Sequence, residues 1–247
     1  MTGGLQCLPH CPELLRAYPS TVAVDGYAGI LPAMTNTPQP AQTSGHSALI
    51  ASRWVGLAER VQAKMELFAG KDRSGEQRLF DQAAVATSAV KRIHWLRKAA
   101  EAATKEPSKL AACRKGCSHC CHVSVVLSKS EAAVIAKETG HRINSQAGRF
   151  SAAGTLDPIS AKAEVVRQYQ GQACVFLRQG ECSIYEHRPL VCRWQINLDE
   201  DDLLCRLVDG QDAPQVPYLD MTAHEYGAAM VMGVHQTYDD IRAWFAG

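Results

Sequence analysis

Eight of the ten cysteines in this 247-residue chain fall in two runs, and that placement constrains the fold more than any other feature. The first run is Cys113-x3-Cys117-x2-Cys120-Cys121, four cysteines in nine residues. The second is Cys174-x7-Cys182-x9-Cys192-x12-Cys205. A Cys-x2-Cys turn lets two thiolates face one ion, which is why it recurs in zinc knuckles and iron–sulfur sites. Gly116, just before Cys117, gives the backbone the freedom such a turn needs. Consecutive side chains diverge, so Cys120 and Cys121 suit two different ions, or the flanks of one cluster. A disulfide between the two would be strained. Eight thiols match two four-sulfur sites, one polynuclear site, or seven ligands and a spectator.

The choice between metal and disulfides rests on compartment. The opening MTGGLQCLPHCPELL lacks a basic stretch followed by an apolar run, so the expectation is a cytoplasmic protein. In that reducing environment clustered thiols hold metal more often than each other. Structural zinc contributes about 10–16 kcal/mol in small peptides. A whole domain is stable by only about 5–15 kcal/mol. An ion here would therefore dominate the folding of residues 113–205. No window approaches 18 consecutive apolar residues, so no membrane span is expected. Lys plus Arg number 26 and Asp plus Glu 25, a net charge of +1, which argues against nucleic acid as a partner. Lys91, Arg92, His94, Arg97 and Lys98 read as the solvated face of a helix.

Periodicity divides the chain into three. Residues 1–46 read as a flexible arm, with a Pro/Thr/Gln-rich stretch from Pro32 to Gly45. Its Cys7, His10 and Cys11 are one ligand short of a four-coordinate site and read as incidental. Residues 47–107 carry two apolar stripes. One is Ile50, Trp54, Leu57, Val61, Met65 and Phe68; the other runs from Leu79 through Ile93 and Leu96 to Ala100. A glycine turn at 70–75 joins them, Pro107 closes the second, and together they predict an antiparallel helical hairpin. Its stripes would seat against a partner protein or against the cysteine region. Residues 108–247 form the cysteine-cluster domain with C-terminal helices. There the sequence predicts a helix from Ser128 or Ser130 to Thr139, ended by Gly140. It also predicts a helix over about 159–170 and a β-hairpin turning at Gly180 within CVFLRQGECSIY. Pro214 and Pro217 begin an extended stretch. A helix from Thr222 to about His235 and a short last helix at Ile241, Trp244 and Phe245 follow. The fold class expected is mainly α: a helical hairpin plus a small α+β cysteine-rich, metal-stapled domain.

The runs CRKGCSHCC (113–121) and CVFLRQGECSIYEHRPLVCR (174–193) resemble the YkgJ-type cysteine-cluster family, named for its CxxCxxCC motif. Cys174, Phe176, Leu177, Gly180, Cys182, Ile184, Tyr185, Arg188, Pro189, Cys192 and Arg193 fall where the family pattern puts them. Cys117, Cys120 and Cys121 match as well, and Cys113 takes the place of the leading cysteine. Many relatives set a last cysteine after a polar loop; here the loop is QINLDEDDLLC and ends at Cys205. The resemblance covers about residues 110–210, and residues 1–105 have no counterpart in it. It implies a zinc- or iron-chelating domain and names no reaction.

Charge points to the cluster's neighbours. Four thiolates around Zn2+ leave a charge of −2, which calls for cations and N–H donors beside the sulfurs. Arg188 and Arg193 flank Cys192, and Arg114 and Lys115 flank Cys113. The arginines either hydrogen-bond the thiolates or pair with Glu181 or Glu186. His119 and His122 bracket the adjacent cysteines, but eight thiols already complete two sites. His187, His224 and His235 read as ordinary residues, and Tyr185 as packing on the hairpin. All-sulfur donors select zinc, iron–sulfur or Cu(I). The spacing differs from the evenly stepped ferredoxin pattern, and methionines are scattered. Two functions remain: a metal-binding protein with a structural or metal-handling role, and an iron–sulfur enzyme of redox or methyl/radical chemistry, since related motifs occur in flagellin lysine methylases. No dinucleotide, Walker, HExxH or GxSxG motif supports catalysis.

Overall fold

Each of the two long helices expected before residue 107 is divided. In the computed structural model, which describes residues 45–114, 116–206, 219, 221–233 and 235–245, the first stripe forms α1 (Gly45–Trp54) and α2 (Leu57–Glu66). They part at Gly56, whose φ of 68° lies where only glycine is at ease. The second stripe forms α3 (Ser74–Val85) and α4 (Ala89–Thr104). Ala86 is extended, and the Ser88 hydroxyl restarts the helix by accepting from the Lys91 N–H at 3.3 Å. The helical hairpin is therefore α3 against α4, with α1 and α2 as a separate pair. Pro107 opens a further short helix, α5 (Pro107–Leu110), where its missing N–H costs nothing. Cys7, His10, Cys11, Lys115, Pro214 and Pro217 lie outside the described residues.

The α4 stripe is filled from within the chain. Ile93, Leu96, Ala99 and Ala100 are wholly buried. Ile93, Leu96 and Ala100 share a core with Ala83 of α3, with Val134, and with Leu190, Trp194, Ile196 and Leu198 of the second cysteine run. Burying side chains the size of Ile93 and Leu96 contributes about 1.5–3 kcal/mol each. This core joins the helices before residue 107 to the cysteine-bearing segments after it.

A second core lies under the first cysteine run. Strand β1 (Val126–Ser128) leads into α6 (Lys129–Thr139), where the Ser128 hydroxyl caps the Glu131 N–H at 3.2 Å and Gly140 ends the helix at φ 73°. Then follow β2 (Phe150–Ser151), α7 (Pro158–Tyr169), β3 (Leu177–Arg178), β4 (Glu181–Cys182), α8 (Leu190–Trp194), α9 (Thr222–Met232), β5 (Thr237–Asp240) and α10 (Ile241–Trp244). The expected hairpin is β3–β4, with Leu177 opposite Cys182 and two positive-φ residues, Gln179 and Gly180, at the turn. The sheet β1-β5-β2 is antiparallel, with Val126 opposite Asp240 and Phe150 opposite Tyr238. The sequence does not predict it, because strands of two to four residues are too short to show alternation. It returns the end of the chain to the first cysteine run, where Ile241 and Trp244 pack on Val125, Leu127 and Ile135. Among the described residues no helix is long and apolar enough to cross a membrane.

Candidate metal centre

Backbone hydrogen bonds bring the two cysteine runs together before any side chain is considered. The Cys174 N–H donates to the Cys121 carbonyl at 2.7 Å, and the Gly171 N–H to the His122 carbonyl at 2.7 Å. At the other end, the Ala112 N–H donates to the Asn197 carbonyl at 2.9 Å. Cys113 and Cys117 lie on either side of a turn closed by the Cys117 N–H on the Arg114 carbonyl, with Gly116 at φ 83°. Cys120 and Cys121 ride on a 3-10 turn, His119–His122. Cys182 sits on the hairpin, Cys192 on α8 and Cys205 on a 3-10 turn, Leu203–Cys205. Buried Glu131 receives the Leu190 N–H at 2.8 Å and so fixes the start of α8. All eight cysteines are free thiols.

The thiols influence one another in two neighbouring groups. Cys205 is pushed up to about 12, first by burial and then by the nearby Cys113, Cys117 and Cys120. Cys113 is raised by burial and by Cys117 and Cys120. In the other group Cys192 lies well above the ordinary thiol value through burial and the proximity of Cys120, Cys174 and Cys182. Cys174 and Cys182 are raised by burial. Cys120 borders both groups. A hydrogen bond from Cys121 stabilises its thiolate and brings it down to about 7, while Cys121 goes up. Cys121 also senses Cys174 and Cys192.

Neither flanking arginine takes a role foreseen for it: among the described residues neither hydrogen-bonds a cysteine sulfur, and neither pairs with the Glu181 or Glu186 carboxylate. The Arg188 guanidinium lies 3.8 Å over the Tyr185 ring, and its charge favours the thiolates of Cys120, Cys182 and Cys192. Its Nε is buried with no hydrogen-bond partner. Arg193 is engaged elsewhere: with Glu101 at 2.7 Å, and with the carbonyls of Arg188 at 3.1 Å and Glu186 at 2.5 Å. Arg114 and His119 both reach Asp202, at 3.1 and 3.3 Å. Burial alone would raise the Asp202 carboxyl, but Arg206, His119 and Arg114 outweigh it and hold it below the usual range. His224 is buried away from the cluster, 2.5 Å from Glu76.

Two participants escaped sequence reasoning. Asn197, buried inside the loop before Cys205, donates its side-chain N–H to the Cys205 sulfur at 3.0 Å and its backbone N–H to the Cys113 sulfur at 3.4 Å. The polar opening of QINLDEDDLLC was the one signal for it. Arg242, from the end of the chain, donates to the Cys121 carbonyl at 3.1 Å, and nothing in its local sequence marks it.

The donor set is all sulfur, with N–H donors and an unsatisfied guanidinium nitrogen beside it, which fits a soft, thiophilic cation. Among the described residues, no group of three Cys, His, Asp or Glu side chains is placed to hold a metal ion as they stand. Residues 112–208 match the model of a family, CxxCxxCC, whose description reads "Putative zinc- or iron-chelating domain". The match takes in all eight clustered cysteines and under half of the chain. No curated protein and no solved structure matches the chain.

Proposed function

Taking residues 112–208 as a CxxCxxCC domain, we propose that the chain holds two zinc or iron ions in all-thiolate sites that lock its two cysteine runs together. Cys113, Cys117, Cys120 and Cys205 would hold one, and Cys121, Cys174, Cys182 and Cys192 the other. The observation that carries this reading is geometric: Asn197 donates to the sulfurs of both Cys113 and Cys205, while the Cys174 N–H on the Cys121 carbonyl brings the other cysteines' segments together at the adjacent pair Cys120–Cys121. Cysteine's single χ1 leaves each thiol free to turn, so side-chain rotation alone would let the thiols gather on an ion.

The role is structural or metal-handling. A zinc site with four protein thiolates has no open position for substrate, so it supplies folding energy rather than a reaction. Arg188, placed against the second group, offsets part of the charge that four thiolates bring. Such a protein belongs in a reducing compartment, which suits a cytoplasmic location.

Metal analysis and the optical spectrum of anaerobically purified full-length protein test the reading. A colourless protein with two zinc ions per chain and eight protected thiols supports it. A brown protein with visible charge-transfer bands assigns the same cysteines to iron–sulfur and reopens redox or radical chemistry. A protein that retains no metal, with all eight thiols open to alkylation, overturns it.

A further inference from the structure

We infer that Arg242, which lies beyond the matched domain, is the positioning residue of the Cys121/Cys174 group: its guanidinium ties the backbone of the first cysteine run to that of the second. Only 5% of Arg242 is exposed. Its Nη2 donates to the carbonyls of Cys121 at 3.1 Å, Val123 at 3.2 Å and Gln172. Its Nε donates to the Ala173 carbonyl at 3.2 Å. One of these acceptors closes the first run, one lies two residues after it, and two immediately precede Cys174. Fixing those peptide planes fixes the directions in which the Cys121 and Cys174 side chains leave the backbone.

The cation is itself anchored. Its Nη1 pairs with Asp240, a fully buried carboxylate, at 2.9 and 3.2 Å. Asp240 also accepts from the Ser124 hydroxyl at 2.7 Å and the Val125 N–H at 2.8 Å. A buried ion pair persists only where its remaining hydrogen-bonding capacity is met, and here it is met by the segments that carry the cysteines. Lysine could not substitute, because one ammonium cannot span four carbonyls and a carboxylate. The Cys113/Cys205 group has a different organiser, Asn197, so a lesion at Arg242 is local to one group.

The metal arm of the test rests on the two-group proposal; the exchange arm does not. The full-length chain is compared with Arg242→Lys, and with Ser124→Ala as a milder lesion of the same pair. Amide hydrogen exchange is followed at Gly171 and Cys174, which bridge the runs, and at Ala112, which belongs to the other group. Co(II) titration and cysteine-resolved alkylation follow the ions. In Arg242→Lys the Gly171 and Cys174 amides exchange at least tenfold faster while Ala112 is unchanged. The thiolate-to-cobalt band then saturates at one ion rather than two, and Cys121, Cys174, Cys182 and Cys192 become alkylated. Unchanged exchange at Gly171 and Cys174, or equal acceleration at Ala112, overturns the inference. If Arg242→Lys loses its helical signal, Ser124→Ala decides by the same amides, with severalfold acceleration expected and none overturning. A wild-type chain that takes up no cobalt removes the two-group proposal, while the exchange comparison still decides on Arg242.

Discussion

The Cys174 N–H points at the Cys121 carbonyl over 2.7 Å, so the two cysteine runs touch through their backbones without help from sulfur. Metal removal should therefore loosen the molecule rather than unfold it. The core around Ala83, Ile93, Leu96 and Trp194 contains no cysteine. Chelation of the full-length protein should leave most of the helical circular dichroism in place. It should lower the melting temperature by at least about 10 °C, since each kcal/mol lost shifts a protein of this size by roughly 2–4 °C. Complete loss of helical signal on chelation would contradict the separation of core and cluster.

Serine substitutions should separate the two groups. Cys121→Ser is expected to cost the ion shared with Cys174, Cys182 and Cys192 and to leave Cys113, Cys117 and Cys205 protected. Cys205→Ser should do the reverse. Cys120→Ser, at the border, should lower metal content and destabilise the 113–205 region together. Metal stoichiometry with cysteine-resolved alkylation reads all three. A variant with full metal and an unchanged melting curve removes its cysteine from the ligand set.

Much of this architecture was legible because its signals are local. Ser128 and Gly140 bound α6, Gly180 turns the β3–β4 hairpin, and the cysteine spacing marks the cluster. The breaks at Gly56 and Ser88 were not legible. Apolar periodicity continues on both sides of each, and one glycine or one serine weighs little against a long apolar stripe. Strands β1, β2 and β5 pair across long stretches of chain and are too short to carry a period. Asn197 reaches Cys113, and Arg242 reaches Cys121, across long stretches of chain, so no spacing rule could single out those contacts. The same distance explains why the α4 stripe could be read as facing a partner, although Leu190 and Trp194 fill it.

Ion uptake should strengthen with rising pH. Burial holds Cys174, Cys182 and Cys192 above the ordinary thiol value, and Cys121 is raised by its bond to Cys120 and by burial. A raised thiol is protonated at neutral pH in the ion-free protein, so binding must expel its proton. Each expelled proton gains the apparent affinity about tenfold per pH unit. Chelator competition from pH 6 to pH 8 should show affinity rising steadily with pH. A pH-independent affinity would contradict thiolate ligation.

Asp199 should prove to be the fastening of the N-terminal helices. It is wholly buried and accepts from Arg53 Nε at 2.9 Å and Arg60 Nε at 3.0 Å, while Lys64 donates to its carbonyl at 2.6 Å. These contacts hold α1 and α2 on the loop before Cys205, where Ile50 and Leu57 pack on Leu203 and Leu204. Breaking a buried pair costs about 3–5 kcal/mol. The two arginine side chains are 19% and 23% exposed and can recover water, so Asp199→Asn should cost less, about 2 kcal/mol. Burial alone would raise the Asp199 carboxyl, but the Glu200 N–H, Arg60 and Arg53 outweigh it and hold it below 3.8. Its contribution is therefore complete above that value and is lost as pH falls through the lower folded one. Urea unfolding should show a constant gap between wild type and variant from pH 7 to pH 5, narrowing below pH 3.8. A gap that is flat into acid would contradict the assignment of this stabilisation to the ionised carboxylate.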